Sequence, residues 1–403
     1  MFVEIIIAIV LGIIAGIFTG LTPGIHVNLV SLILLSVSPF FLQFTSPLVL
    51  GVFIISMAVT HTFLDAIPSI FLGAPDADMA LGVLPGHRLL LDGRGFEAVK
   101  LTVIGSLLAL IGTVALIPLV IPFVPRVYGF IQPYVGYILI VVVIYIILIE
   151  TGWVKKLWSL LIFLLSGVLG LITLHWNNFK DPLFPLLSGL FGISTLLLSL
   201  NEKTVIPKQK ITETIKVGKA KTTKAVVAAV VSGSIAGLLP GIGSAEAALL
   251  GMVLVGEIGS YAFMILIGGI NGVNFIFSLA SLYTLERARN GAIVVVLELM
   301  KKITAHELVI FLATALVAGA AATYITLKIS KKAAALISKI NYRKLCIGVI
   351  AFVTGMVIFF SHFYGLLVLL VSTSIGMIAP LVNVKRSHAM GVLLLPIILF
   401  FVL

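Results

Sequence analysis

Two short stretches of this chain carry the residues best placed to do chemistry. Ala15-Gly16-Ile17-Phe18-Thr19-Gly20-Leu21-Thr22-Pro23-Gly24-Ile25 aligns without gaps on Ser232-Gly233-Ser234-Ile235-Ala236-Gly237-Leu238-Leu239-Pro240-Gly241-Ile242, with six identities in eleven at an offset of 217 residues. Proline lacks an N–H and clashes with the preceding helical turn, and glycine opens backbone angles closed to other residues. Each Pro-Gly pair therefore breaks a helix, and the helix that resumes presents free N–H groups and a positive dipole end, a ready site for a carboxylate or phosphate. On this reading Pro23, Gly24, Ile25, His26 and Asn28, with Pro240, Gly241, Gly243 and Ser244, form a candidate anion-binding set. The plain alternative is a proline kink whose Gly16/Gly20 and Gly233/Gly237 spacings serve helix packing alone.

Ionisable residues sharpen the picture. Of fifteen acidic residues, Asp65 and Glu246 are the two that fall clearly inside apolar segments. An ionisable residue in a membrane is a functional candidate by default, so Glu246 is a candidate carrier of a coupling proton or a sodium ligand. His61 and Asp65 stand four apart, on one face of a helix, where a His–Asp pair can hold a proton near neutral pH. Asn271 and Asn274 occupy the matching stretch of the second half, as amides, and join the candidate substrate set. Arg88, after Leu84-Pro85-Gly86-His87, is the cation nearest to that set, although His87 and Arg88 also suit a loop that faces the cytoplasm. Asp76 and Asp78 suit a helix cap. No zincin or Walker A pattern occurs: position 310 is isoleucine where a second zinc-binding histidine would follow His306-Glu307. No catalytic residue, metal site or enzyme activity is expected, and no cofactor beyond Na+ or H+ as a coupling ion.

The elements that must position these residues are membrane helices. The 403 residues are 61% hydrophobic and 10% charged, against about 25% charged in a soluble domain. Such a chain cannot wet a soluble surface, which excludes cytosolic enzymes, disulfide scaffolds and nucleic-acid-binding domains despite a net charge of +11. The apolar runs are continuous rather than alternating, so the spans are helices and not barrel strands. The N-terminal Met1-Phe2-Val3-Glu4 lacks the basic region of a secretory signal and reads as the start of a first span. Segments are expected at 2–22, 25–42, 47–72, 98–122, 133–150, 157–176 and 182–200, then at 224–239, 242–258, 260–283, 306–328, 345–361, 363–383 and 389–403. Several of them are short, notably the neighbours 224–239 and 242–258, which are candidates for halves of a re-entrant hairpin. The fold class is thus an all-α polytopic membrane protein with two inverted-topology repeats of about seven hydrophobic segments each, 1–200 and 224–403. A basic linker, 201–223, joins them and reads as a solvated loop. With that linker in the cytoplasm, twenty of the twenty-six basic residues fall inside, as the positive-inside rule favours, and both termini lie outside the plasma membrane. Cys346 and the many phenylalanines read as packing.

The order of motifs resembles the TctA family, the large membrane subunit of tripartite tricarboxylate transporters, and its shorter archaeal-type members most of all. The resemblance rests on Gly20-Leu21-Thr22-Pro23-Gly24-Ile25-His26, on Phe63-Leu64-Asp65-Ala66-Ile67-Pro68, on Gly73-Ala74-Pro75-Asp76 and Leu84-Pro85-Gly86-His87-Arg88, on Gly237-Leu238-Leu239-Pro240-Gly241-Ile242-Gly243, and on Arg386-Ser387-His388-Ala389-Met390-Gly391. It implies a secondary transporter that moves a di- or tricarboxylate-like anion on an ion gradient. The implied partners are a small membrane subunit and an extracytoplasmic solute-binding protein, with a homodimer and contacts to membrane lipids as further expectations. A polyprenyl-phosphate translocase using the same turns, with an anionic lipid as its substrate, is the competing reading. A non-transporting membrane scaffold is a third.

Overall fold

A computed structural model describes residues 2–23, 25, 27–74, 77–176, 182–201, 206–215, 217–239, 242–339 and 341–403. Among these the regular structure is helical throughout. Seven helices are long and apolar enough to cross a membrane by length and composition: Phe2–Leu21, Pro47–Phe71, Gly95–Leu148, Trp153–Leu174, Gly259–Leu285, Ala305–Ile337 and Tyr342–Leu381. The remaining apolar segments fold as shorter helices, so the fourteen expected segments divide into long spans and short pieces.

Several interruptions coincide with prolines. Helix α1 (Phe2–Leu21) stops before Pro23, and α2 (Val27–Phe41) follows. Helix α12 (Lys219–Leu238) stops before Pro240, and α13 (Ser244–Val255) follows. At 15 and 12 residues, α2 and α13 rise about 22 and 18 Å, short of a hydrocarbon core about 30 Å thick. The expected break is therefore present in both halves, but α12 itself is a full 20 residues long, because it begins in the lysine-rich stretch assigned to the linker. Helices α3 (Pro47–Leu64) and α4 (Ala66–Phe71) meet at Asp65. Pro68 has no N–H to offer the carbonyl of Leu64 four residues back, which loosens the helix there.

The next helices are α5 (Val83–Leu91), α6 (Gly95–Val120), α7 (Val124–Ile131) and α8 (Val135–Leu148), with 3-10 turns at Ile121–Phe123 and Gln132–Tyr134. Then come α9 (Trp153–Leu174), α10 (Leu183–Leu187), a π turn at Ser188–Ile193 and α11 (Ser194–Asn201). After α13 follow α14 (Gly259–Leu285), α15 (Gly291–Met300), α16 (Ala305–Ile337), α17 (Tyr342–Leu381) and α18 (Gly391–Val402). Helix α17 is broken at His362, whose φ of 54° and ψ of −152° are not helical. Each half of α17 is then about 30 Å long, and the break falls between the two segments expected at 345–361 and 363–383.

Small residues face inward and large ones face outward, as membrane helices require. In α1, Ala8, Gly12, Gly16, Thr19 and Gly20 are buried, while Leu11, Ile14 and Phe18 are exposed. Gly16 packs on Met57 and Thr60, and Gly20 on His61 and Leu64. Gly233 packs in the same way on Ile270 and Val273, and Gly237 on Asn274 and Phe277. By these contacts His61 and Asn274 occupy corresponding places. The same spacing puts Ser278, rather than an amide, opposite Asp65, which corrects the register expected from sequence.

The halves also interlock with each other. A Cβ at Gly105 of α6 would overlap the carbonyl of Ile265 in α14, and one at Gly268 would overlap the carbonyl of Thr102. The Ser106 hydroxyl donates to the Gly268 carbonyl at 2.9 Å across the same contact. Gly170 of α9 lies as close to Val392 of α18, and Gly376 of α17 to Leu190 in the π turn.

The linker is not simply a solvated loop. Ile206 and Gln209 are buried. The Gln209 side chain accepts from the N–H of Gly95 at 2.8 Å and donates to the carbonyls of Leu90 and Pro207 at 3.0 and 2.8 Å. It thereby caps α6 from a distance, since Arg94 makes no side-chain cap there. Lys100 donates to the carbonyls of Thr212 and Glu213. Gln209→Ala is expected to cost about 1–2 kcal/mol and to speed hydrogen exchange at the start of α6. Unchanged exchange at Gly95–Ala98 would contradict this.

Candidate functional site

The second Pro-Gly turn leads into a buried polar network. Ser244 opens α13, and its hydroxyl accepts from the Asn274 amide at 3.0 Å and lies 3.5 Å from the Asn271 amide oxygen, to which it donates. The Asn271 amide donates to Asp65 Oδ2 at 2.8 Å. Asp65 is only 2% exposed and stands at the α3–α4 junction. One hydrogen-bonded path therefore runs from the turn, through α14, to the acidic residue of the other half. His61 turns toward α1, where its Nδ1 lies 3.1 Å from the Thr19 hydroxyl.

Glu246 lies one turn into α13 and folds back on its start. Its Oε2 accepts from the Gly243 N–H at 2.7 Å. A carboxylate of the chain itself thus occupies the helix N-terminus where an anion is expected to dock. Asn28 is placed elsewhere: its Oδ1 accepts from the Ala292 N–H at 3.0 Å, next to Asn290, which accepts from Ile293 at 2.9 Å. The two asparagines cap α15. Pro23 and Ile25 sit in the turn after α1, with the Ile25 N–H donating to Thr22 at 3.2 Å. Gly24, His26, Pro240, Gly241 and Asp76 lie outside the described residues.

A second polar region surrounds a cavity of about 540 Å³, walled by Ala80, Leu81 and Pro85, by Met252 and Phe263, and by Asn383, Lys385, Arg386 and Ser387, with Arg88, Glu150 and Phe191 completing it. His87 and Arg88 part company here. His87 is buried, between the Ile70 carbonyl at 3.1 Å and the Tyr342 hydroxyl at 2.9 Å, and fastens α5 to its neighbours. Arg88 is exposed on the cavity wall rather than beside the Pro-Gly network.

Arg386 is 8% exposed. Its Nη1 donates to the hydroxyls of Ser194 and Thr195 and to the Phe191 carbonyl. Burial, together with the positive charge of Arg88, brings its pKa down to about 10. Glu150 Oε1 accepts from the Lys385 N–H and lies 3.1 Å from His388 Nε2. Burial pushes the Glu150 carboxyl up, but those hydrogen bonds and the neighbouring positive charges outweigh it and hold it below the usual range.

The sequence presents Arg386 and His388 only as parts of the Arg386–Gly391 motif, with no role in a site, and does not single out Glu150. The available signal was position: each stands at the edge of an apolar segment, where a charged side chain is either solvated or deliberately enclosed.

A family model described as the tripartite tricarboxylate transporter TctA family matches residues 6–391. An uncharacterized protein of Methanocaldococcus jannaschii is 30% identical over 389 residues, covering 94% of each chain. No solved structure matches.

Proposed function

The chain belongs to the tripartite tricarboxylate transporter TctA family, a family of transporters, and from that premise we propose that it is a secondary transporter of an organic anion of the di- or tricarboxylate kind. The substrate site is the start of α13 with the network behind it, and the coupling ion is a proton. One observation carries this reading: the Glu246 carboxylate already bonds the Gly243 N–H at 2.7 Å.

A substrate carboxylate and Glu246 compete for the same donors. A charge-assisted hydrogen bond is roughly twice as strong as a neutral one, so protonating Glu246 weakens its hold and releases the N–H group. Each anion then enters with a proton, and neither is favoured alone. Asp65 stands at the far end of the hydrogen-bonded path that begins at Ser244, in the same first turn of α13 as Glu246, and is the second candidate for coupling. The corresponding glycine contacts of α1 on α3 and α12 on α14 support two inverted repeats, with alternating access by movement of one against the other. Family members work with a small membrane subunit and a solute-binding protein, and the proposal extends to such partners here.

The test is uptake of labelled citrate and succinate into proteoliposomes under imposed pH or sodium gradients. Uptake is expected to follow the pH gradient, and Glu246→Gln, a stand-in for the protonated side chain, is expected to lose that response. Transbilayer movement of a short polyprenyl phosphate without carboxylate uptake would replace this reading with the lipid translocase. Carboxylate uptake driven by sodium alone would overturn the proton.

A further inference from the structure

We propose that the cavity between α5 and the 383–387 segment is a second anion site, for a small oxyanion bearing at least two negative charges, held between Arg88 and Arg386. It is separate from the Pro-Gly network. Met252 and Phe263, on the cavity wall, stand eight residues along α13 and α14 from Ser244 and Asn271, which is about 12 Å of helix.

The argument begins with charge. The ionisable groups facing the cavity are Arg88, Lys385 and Arg386 against the single carboxylate of Glu150. That carboxylate is already engaged by the Lys385 N–H and His388. Among the described residues no carboxylate is paired with either guanidinium, and the partners of Arg386 are two hydroxyls and a carbonyl. Two like charges beside a largely apolar wall repel more strongly than in water. A buried arginine is retained where something compensates it.

Open valences point to the ligand. Arg386 Nε and the Ser387 hydroxyl are buried with no hydrogen-bond partner. Arg386 is nine-tenths buried and its Nη1 is held by Ser194 and Thr195, so the remaining N–H donors of its planar fork are fixed in place. Guanidinium groups match the paired oxygens of carboxylate and phosphate, which a single lysine ammonium does not. Arg88 is exposed at the rim and free to close on an anion that Arg386 and Ser387 hold from within. The volume, about 540 Å³, lies within the range of small-molecule sites. Free phosphate and a polycarboxylate present the same chemistry, and the test separates them.

The experiment is thermal unfolding of the detergent-purified full chain with inorganic phosphate or citrate, alongside chloride at equal ionic strength. At least one of the two oxyanions is expected to raise Tm in a saturable way, and the stronger of them names the ligand class. Arg88→Gln, a change at an exposed position, is expected to weaken the apparent affinity about tenfold or more, and Arg386→Gln to remove the shift. If Arg386→Gln fails to fold, Arg386→Lys, which keeps the charge but not the fork, is expected to weaken it as Arg88→Gln does. Glu246→Gln is expected to retain the shift. No shift with either oxyanion overturns the proposal, as does a shift undiminished in Arg88→Gln. A shift lost in Glu246→Gln but kept in Arg88→Gln would move the anion to the turn and also overturn it.

Discussion

Asp65→Asn is expected to remove proton-coupled anion uptake while leaving the fold in place. The asparagine oxygen still accepts from the Asn271 amide, so the 2.8 Å hydrogen bond between α3 and α14 survives without its charge. Losing the charged character of one hydrogen bond costs about 1–2 kcal/mol, and the thermal midpoint should fall by only a few degrees. Transport is a different matter, because the only titratable member of that bond is gone. Uptake driven by a pH gradient should fall at least about tenfold, the equivalent of about 1.4 kcal/mol in the rate-limiting free energy. Asp65→Ala separates the two roles from the other direction. It leaves the Asn271 amide buried without its acceptor, at about 1–3 kcal/mol, so stability and transport should fall together. Full uptake with the parent pH profile in Asp65→Asn would reduce Asp65 to a strut between helices.

The pair Gly105→Ala and Gly268→Ala is expected to have the largest effect on stability. Each methyl would overlap a backbone carbonyl of the facing helix, Ile265 for the first and Thr102 for the second. A carbonyl inside a helix cannot swing away as a flexible side chain can. The helices must separate, which also lengthens the Ser106 hydrogen bond to Gly268. Overpacking of this kind costs about 1–3 kcal/mol per site, and the two sites share one interface, so their effects should not add simply. The double variant is expected to give little monodisperse protein by size exclusion and a clearly lowered unfolding midpoint. Gly112→Ala, on the same helix but with open space around its Cβ position, is the control and should behave as the parent. A stable double variant would mean that α6 and α14 can repack at a greater distance.

The sequence by itself determined the features that depend on local chemistry. A low charge content commits the chain to the bilayer, because too few polar side chains remain to wet a soluble surface, and the spans are helices because each satisfies its own backbone. Helices α1 and α12 end just short of Pro23 and Pro240, as a missing N–H and a ring clash favour, whereas Pro39, Pro118, Pro380 and Pro396 lie within helices, so the following glycine is part of the signal. The break at His362 was visible in the same way, as a change between two apolar runs. The glycine spacings announced close packing but did not name the partner.

Tertiary structure decided which polar groups meet. Asn271 and Asp65 are 206 residues apart and bond directly, although the sequence places them in matching stretches of separate halves. Asn28, read as part of the anion site, caps α15. The linker, read as solvent-exposed, is fastened to the α5–α6 turn by Gln209. The sharpest case is Arg386, a loop charge by position and a buried guanidinium in the fold. A charge near the end of an apolar segment is solvated or enclosed according to which helices pack over it. Here those are α11 and the π turn, almost two hundred residues earlier in the chain. Hydropathy sums neighbours along the chain, and no such sum contains a contact across it.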